Sequence, residues 1–531
     1  MIKVKRAVIS VSLKKGVTSF AKGLASLGVE IISTGGTAAQ LRESGVPVTE
    51  VSEYTGFPEM MNGRVKTLHP KIHAGLLAVR ENADHMEQAR KNGIGLIDMV
   101  VVNFYPFENV TGRKNVSWDE AIENIDVGGP TLLRSAAKNY KSVAVICSLD
   151  RYEEILRELQ TNNGLLSDAV LFSLAVEAFA YMARYDEIIS GFFKKRLSSE
   201  EMAARDDPQL RGFSPFPREL TLRFTKVQDL RYGENPHQPG ALYRNMENTD
   251  GPGLTATKQI HGKELSFNNI LDINAAVEFI KDSQNPAAVI IKHSNPTGIA
   301  EDKTLDKAYH QAWRCDPESA FGGIIGLNQT VDLKTAQQIA KSGFMECVIA
   351  PGFEPKALDL LKQKKNFRIL ELNFEHLKEE EFDFKKIAGG ILWQGQDARQ
   401  LRESDCKVVT RKKPTRNQMR SLLFGWQVVK DIKSNAIVLV KGTKTVGIGA
   451  GQTSRIESIR MAVEKAGPRA RGAVLASDAF LPKIDNIKLA AKAGVTAVIQ
   501  TGGSVADAEV IKAADKAGIA MIMTGVRHFK H

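Results

Sequence analysis

RAVISVS (6–12), VEIIST (29–34), VPVTEV (46–51), IDMVVVNFY (97–105) and SVAVICS (142–148) are the short apolar runs whose reading decides the architecture of the first part of this chain. Between the first two, Phe20, Leu24 and Leu27 recur on one helical face, and a further short helix is predicted over 38–44. Strands alternating with helices predict an α/β unit, a parallel sheet with helices on both faces. Ligands of such sheets bind beyond the carboxyl ends of the strands. The residues just past each run are therefore the first place to look for chemistry.

Those residues are polar and rich in glycine. In STGGT (33–37), Gly35 and Gly36 allow close approach to the backbone, and free N–H groups with the hydroxyls of Thr34 and Thr37 can face an anion such as phosphate. The same residues also read as an ordinary glycine turn. GRVKTLHPKIHAG (63–75) adds Arg64 and Lys66, which read as anion ligands. His69 and His73 have the spacing of a metal pair, but Pro70 disrupts a regular helical face and no Cys or carboxylate accompanies them, so no metal site is predicted. NFYPF (103–107) carries Asn103 and Tyr105 out of the most apolar strand. IDVGGPTLLRSAAKN (125–139) repeats the design of strand end, glycine pair and helix start; there Asp126 reads equally as a helix cap and Lys138 as a solvated charge.

The run from 167 to 197 reads as one long apolar helix or a helix pair. The polar, Pro-containing stretch 198–219 lacks sustained periodicity and marks a domain boundary, cut near residue 200. Beyond it, helix LDINAAVEFIKD, strand AAVIIKHSNPTG and helix TLDKAYHQAW are followed later by RSLLFGWQVVKDIK, NAIVLVKGTKTVGIGAG and IESIRMAVEKAG in the same order. This predicts an internal duplication of an α/β unit. DLRYGENPHQ (229–238) packs ligand-type residues into a loop without a core-forming period. In IIKHSNPTG (290–298) an apolar strand delivers Lys292 and His293 side by side before an expected turn through Asn-Pro-Thr-Gly. An adjacent Lys lowers the proton affinity of a His and suits it to general-base work, although a lone buried His is more often a hydrogen-bonded core residue.

Composition excludes several classes. At 531 residues, roughly three or four domains or subdomains are expected. No apolar stretch approaches the roughly 20 residues of a membrane-spanning helix, and MIKVKRAVISVS lacks the regions of a secretory signal, which predicts a cytoplasmic protein. Cys147, Cys315, Cys347 and Cys406 form no CxxC pair, and the HxE with PCxxC pattern of zinc deaminases is absent. VGIGAGQ fails the dinucleotide fingerprint because position 452 is Gln. The net charge of +11 is compatible with nucleic acid, an anionic membrane surface or anionic small molecules, and composition does not choose among them; the densest basic run, RKKPTR (411–416), has no interleaved aromatic residues and reads as a solvated loop.

Taken together, SVS, STGGT, GFPEMMNGRVKTLHPKIHAG, NFYPF, IDVGGPTLLRSAAKN, LRYGENPHQ, KHSNPTG, FGG, SNAIV, GIGAGQTSR, SDAFLP and the terminal RHFKH closely resemble, in order and over essentially the whole chain, one enzyme family. It is the family of bifunctional purine-biosynthesis proteins that join 5-aminoimidazole-4-carboxamide ribonucleotide (AICAR) formyltransferase to inosine monophosphate (IMP) cyclohydrolase. The resemblance implies a cyclohydrolase domain over 1–199 with a methylglyoxal-synthase-like core over about 1–148, and a formyltransferase domain over 200–531 of two cytidine-deaminase-like halves without zinc.

It also implies a site map. Ser12, Lys14, Thr34, Gly35, Gly36, Thr37, Arg64, Val65, Thr67 and Asn103 would hold the nucleotide, while Lys66, Tyr105, Asp126 and Lys138 surround the closing ring. In the other domain Arg231, Tyr232, Asn269, Gly322, Glu346, Asn435 and Arg455 would bind AICAR, with Phe480, Asp485, Ser504 and Arg527 near it or the folate. Lys292 and His293 would be the catalytic pair. No tightly bound cofactor, metal, nucleic acid or membrane partner is implied; 10-formyltetrahydrofolate is the co-substrate, and a homodimer and room for a monovalent cation are part of the same expectation. One departure bears on the site: the family usually has SVSDKTG where this chain has SVSLKKG, so Leu13 removes an Asp and Lys15 adds a charge beside the phosphate loop. A decayed cyclohydrolase domain is the alternative that Leu13 raises.

Overall fold

The computed structural model describes residues 1–105, 107–113, 116–203, 216, 220–246, 253–374, 377 and 382–531. They form two compact units, Met1–Phe216 and Pro217–His531.

In the first unit β1 (Arg6–Val11), α1 (Val17–Ser26), β2 (Glu30–Ser33), α2 (Gly35–Glu43) and β3 (Thr49–Glu50) follow one another as the apolar runs predict. Further on come α3 (Pro70–Leu77), β4 (Met99–Asn103), α4 (Gly128–Lys138), β5 (Ala144–Ile146) and α5 (Asp168–Ala203). The strands are all parallel, in the order β3-β2-β1-β4-β5. β4 is buried along its whole length, the mark of a strand covered on both faces. The sequence order reverses at β1, so a crevice is expected above the carboxyl ends of β1, β2 and β4.

Three details depart from the sequence reading. VPVTEV yields only a two-residue edge strand, because β3 pairs with β2 alone and the chain turns into a helix at Val51. α2 begins at Gly35, before the predicted 38, which brings the glycine pair into its first turn. The run from 167 is a single helix, the first of its two readings, but it continues past the cut near 200, and the compact units divide at Phe216 and Pro217.

The second unit contains α6 (Phe267–Ile280), β6 (Ala287–Lys292), β7 (Asn295–Glu301), α7 (Leu305–Trp313), β8 (Ile324–Leu327), β9 (Cys347–Ala350) and β10 (Arg368–Glu371). The same series then recurs as α8 (Arg416–Lys430), β11 (Ile437–Lys441), β12 (Lys444–Gly449), α9 (Arg455–Ala466), β13 (Val474–Ser477), β14 (Ala497–Gln500) and β15 (Ala520–Met523). The strands join in one sheet whose central order, β10-β9-β8-β6-β7-β12-β11-β13-β14-β15, is a palindrome of the two copies. The suspected duplication is thus visible in the topology.

The copies meet through antiparallel β7 and β12. The Ile299 N–H donates to Thr445 Oγ1 at 2.9 Å, the Glu301 N–H donates to the Thr443 carbonyl at 2.8 Å, and Lys465 pairs with Asp316 at 3.0 Å. Against one sheet face, Ile280, Val289, Leu422, Trp426 and Val438 belong to one core shared by both copies. Three further cores lie each within one copy, two in the first and one in the second. Glycine is required where a helix crosses each central hairpin: a Cβ at Gly298 would collide with the Ala312 carbonyl, and one at Gly447 with that of Ala462.

Strand directions place many chain reversals on one side of this sheet. β6 runs antiparallel to β7 and β8, and β8, β9 and β10 are parallel. The second copy repeats this pattern. The carboxyl end of β6, the amino ends of β8 and β9, the amino end of β11 and the carboxyl ends of β12 to β15 consequently share one edge.

Candidate active sites

In the first unit a cavity of about 880 Å³ opens at the carboxyl ends of β1, β2 and β4. It is lined by Ser12 and Lys14 after β1, Thr34 to Thr37 after β2, and Asn103 and Tyr105 from β4 onward. The wall opposite comes from Arg64, Lys66 and Thr67 and from Asp126 to Gly129.

The glycine pair fits an anion cradle on steric grounds. A Cβ at Gly36 would lie 3.0 Å from the Lys14 ammonium and one at Gly35 would lie 3.5 Å from that of Lys66, so bare backbone lets both cations approach the turn. Lys14 Nζ donates to the Gly36 carbonyl at 2.9 Å. Asn103 is buried and braces the facing loop: its Oδ1 accepts the N–H groups of Ser12 at 2.9 Å and Leu13 at 2.8 Å. Because Leu13 enters this brace through its backbone, the departure from the family's Asp leaves the loop held.

Asp126 sits at the start of α4. Its Oδ1 accepts the Gly129 N–H at 2.9 Å, and its own N–H donates to the Tyr185 hydroxyl at 2.8 Å. Burial pushes the carboxyl pKa up, opposed by the N–H groups of Gly129 and Gly128. Asp126 thus holds the first turn of α4 through the Gly129 N–H, as its capping reading expects, while facing the cavity. Two carboxylates that sequence reasoning missed hold the cations: Glu123 pairs with Arg64, and Glu59 with Lys66 at 3.0 Å. No spacing in the sequence points to them.

Two expected site residues are not brought to the cavity. Lys138 is exposed in the last turn of α4, about 15 Å along the helix from its amino end, and Val65 is absent from the lining, its backbone pairing with Met60. His69 caps α3 by accepting the Lys71 N–H, and His73 Nδ1 bonds Ser135 Oγ at 3.0 Å, so both histidines have structural partners. Among the described residues no group of three His, Cys, Asp or Glu could hold a metal ion.

In the second unit the expected residues gather along the shared edge of the sheet. Lys292 and His293 follow β6, Gly322 and Glu346 precede β8 and β9, and Asn435 precedes β11. Arg455 opens α9 after β12, while Phe480, Ser504 and Arg527 follow β13, β14 and β15, with Asp485 in the helix Ile484–Lys492. β6 and β11 stand three strand spacings apart, roughly 14 Å. Arg231 and Tyr232 lie in the loop after strand Phe224–Leu230, which is tied to the start of α6 by a bond from Asn268 to the Glu234 carbonyl at 3.2 Å. Asn269 itself is spent on a capping box with Ser266.

Arg455 is buried and pairs with buried Asp478; its guanidinium also donates to Ser477 Oγ at 3.0 Å and Asn435 Oδ1 at 2.6 Å. Asp478 stands in the SDAFLP motif but was not singled out. Glu346 pairs with Arg368 at 2.6 Å, and Lys292 Nζ donates to the Phe321 carbonyl at 2.9 Å.

The turn expected at Asn-Pro-Thr-Gly lies earlier. Lys292 pairs with Asn295, so His293 and Ser294 form a two-residue tip, with φ of 53° and 57°, and Asn295 to Gly298 belong to β7. The Asp272 carboxylate of α6 accepts the N–H of Ser294 at 2.6 Å and that of His293 at 3.3 Å. Asp272 was likewise missed, for a lone Asp on a helix carries no signal.

The family model of the AICARFT/IMPCHase bienzyme matches residues 136–465, and that of the MGS-like domain matches residues 16–131. The chain belongs to the AICARFT/IMPCHase bienzyme family. It is 49% identical over 527 residues, 99% of this chain and all of the other, to the bifunctional purine biosynthesis protein PurH of Thermoanaerobacter sp. (strain X514). The PurH proteins of Acetivibrio thermocellus and Magnetococcus marinus are 48% and 49% identical over 99% and 100% of this chain and the whole of their own. A solved structure titled "Crystal structure of ForH" is 33% identical over 36% of this chain and 97% of its own, with a TM-score of 0.32, too low to bear on the fold. The MGS-like first unit and the bienzyme family expected from the motifs are both found.

Proposed function

We propose that the cavity of the first unit closes the purine ring and that the strand edge of the second transfers the formyl group. As a member of this bifunctional family, the chain catalyses the last two steps of IMP synthesis: AICAR takes a formyl group from a folate, and the formyl intermediate (FAICAR) cyclises to IMP with loss of water. The convergence of Lys14, Lys66, Tyr105 and Asp126 on one glycine-lined cavity carries the assignment of closure.

The first step needs a base because the 5-amine lone pair of AICAR is delocalised into the ring and carboxamide. As the amine attacks the formyl carbon of 10-formyltetrahydrofolate, His293 takes its proton and Lys292 stabilises the oxyanion. The adduct collapses by breaking the bond to folate N10, which leaves protonated. Buried Arg455 and Asn435 would fix the nucleotide on the same edge.

Closure is intramolecular. The carboxamide nitrogen attacks the new formyl carbon, and water leaves after proton transfer from nitrogen to oxygen. Holding one rotamer supplies much of the acceleration. STGGT and Lys14 would fix the phosphate, Lys66 and Tyr105 would stabilise the oxygen, and Asp126, its carboxyl raised by burial, would move the proton. Lys138 would have no contact with substrate in this cavity.

A cytoplasmic homodimer belongs to the same reading. Phe172, Val176 and Phe179 leave an exposed apolar stripe at helical spacing on α5, which a second copy would cover. The deciding experiment supplies AICAR and 10-formyltetrahydrofolate and follows IMP. Accumulation of FAICAR without closure would overturn the assignment of a working cyclohydrolase.

A further inference from the structure

We propose that Asp272 is a positioning residue for formyl transfer, its carboxylate holding the His293–Ser294 turn in the left-handed conformation that presents the imidazole. The proposal rests on the reading of His293 as the base. Two-residue hairpin tips with positive φ at both positions favour Asn-Gly or Gly-Gly, because left-handed backbone is costly for other residues. Here the tip is His-Ser, with φ of 53° and 57°. Strained backbone of this kind persists only where surrounding groups fix it. One carboxylate does so by accepting both amide N–H groups of the tip, at 3.3 Å and 2.6 Å, and Asn295 Nδ2 closes the turn on the His293 carbonyl at 3.1 Å.

The duplicated fold supplies an internal control. β11 and β12 form the matching hairpin, with the register shift between Leu439 and Val440 where the first copy shifts between Ile290 and Ile291. Lys441 and Lys444 close the tip as Lys292 and Asn295 do. That tip is Gly442-Thr443, with positive φ only at Gly442, the arrangement that needs no support.

Asp272 follows the capping residue Ser266 of α6 by six positions, and six past the capping Thr415 of α8 stands Ser421. The Ser421 hydroxyl turns back to the Asn417 carbonyl of its own helix at 3.0 Å. The carboxylate is present in the copy whose tip carries the histidine and absent from the copy whose tip carries glycine. Helix capping does not explain it, since the Ser266–Asn269 box already caps α6.

The test compares Asp272→Ala, Asp272→Ala/Ser294→Gly, Asp272→Asn and His293→Ala in the full-length enzyme, measuring formyl transfer and closure of supplied FAICAR. Asp272→Ala should lower kcat for transfer by about 30- to 100-fold, the scale of a misplaced catalytic group, with KM for AICAR and folate changed less than about twofold and closure unaffected. Ser294→Gly should restore most of the lost kcat, because glycine adopts the turn unaided. Asp272→Asn, which keeps one acceptor oxygen, should fall between and gives the reading if the alanine variant is insoluble.

Parental kcat in either single Asp272 variant, or no recovery in the double variant, overturns the proposal. A parallel rise in KM would mark a structural role alone and overturns it too. Transfer surviving in His293→Ala would instead overturn the catalytic reading on which the proposal stands.

Discussion

The Gly129 N–H donates to the Asp126 carboxylate at 2.9 Å from within the first turn of α4, yet burial still raises that carboxyl's pKa. The folded state therefore binds this proton more tightly than the unfolded chain. Stability contributed by the group falls as pH rises from the ordinary value of about 3.9 through the folded one, and the penalty is complete above it. Asp126→Asn keeps the acceptor and loses the charge. Across a melting series from pH 4 to 8 its Tm should draw level with or exceed the parent's, the advantage growing with pH to about 1–3 °C, while closure of FAICAR falls by about 10²- to 10⁴-fold. A variant that loses Tm as pH rises would contradict the burial argument.

Lys66 and His293 lie in different units, so their losses should separate cleanly. Lys66→Met should reduce closure by about 10²- to 10³-fold and leave formyl transfer at the parental rate, whereas His293→Ala should do the reverse. Loss of both steps from either change in folded protein would rule out two independent sites.

Gly298 and Gly447 face helix carbonyls that leave no space for a methyl group. Gly298→Ala and Gly447→Ala should each destabilise the protein by about 1–3 kcal/mol or more in urea unfolding, because the helix must move off the sheet. Gly191→Ala on α5, with open space around it, should be neutral or stabilise by up to about 1 kcal/mol. Equal midpoints for all three would show that the helices yield freely.

Burial pushes the Cys147 thiol up to about 12 and the Cys315 thiol to about 11, and raises Cys347 as well. Only half-buried Cys406 should react with Ellman's reagent within minutes in the native enzyme, with three further thiols appearing on denaturation. A second fast native thiol would place one of the three nearer solvent than the structure does.

The parallel sheet and the cavity were legible because the signals are local: apolar runs mark the strands and ligand residues follow directly, as Gly35-Gly36 does after β2, although the pair Gly128-Gly129 follows the helix Trp118–Glu123 and not the expected strand end. What escaped depends on partners distant in sequence. Asn-Pro-Thr-Gly carries strong turn composition but lies in β7, whereas His293-Ser294 has no turn signature and turns because Asp272, twenty-one positions before His293, accepts its N–H groups. Glu123 escaped for the same reason, standing fifty-nine positions from Arg64, whereas Glu59 is only seven before Lys66 and escaped because no regular element spans the two. Lys138 was placed by its motif, but the length of α4 separates it from the cavity.

The seam between β7 and β12 also makes each copy depend on the other. A single copy of the repeat would leave β7 as an unprotected sheet edge and bare its share of the common core around Val289 and Trp426. Two identical copies paired through that edge would cover both surfaces, as the two halves of this chain do for each other. Joined in one chain, the two hairpins need not be alike, and one tip carries His293 beside the Asp272 carboxylate while the other carries Gly442.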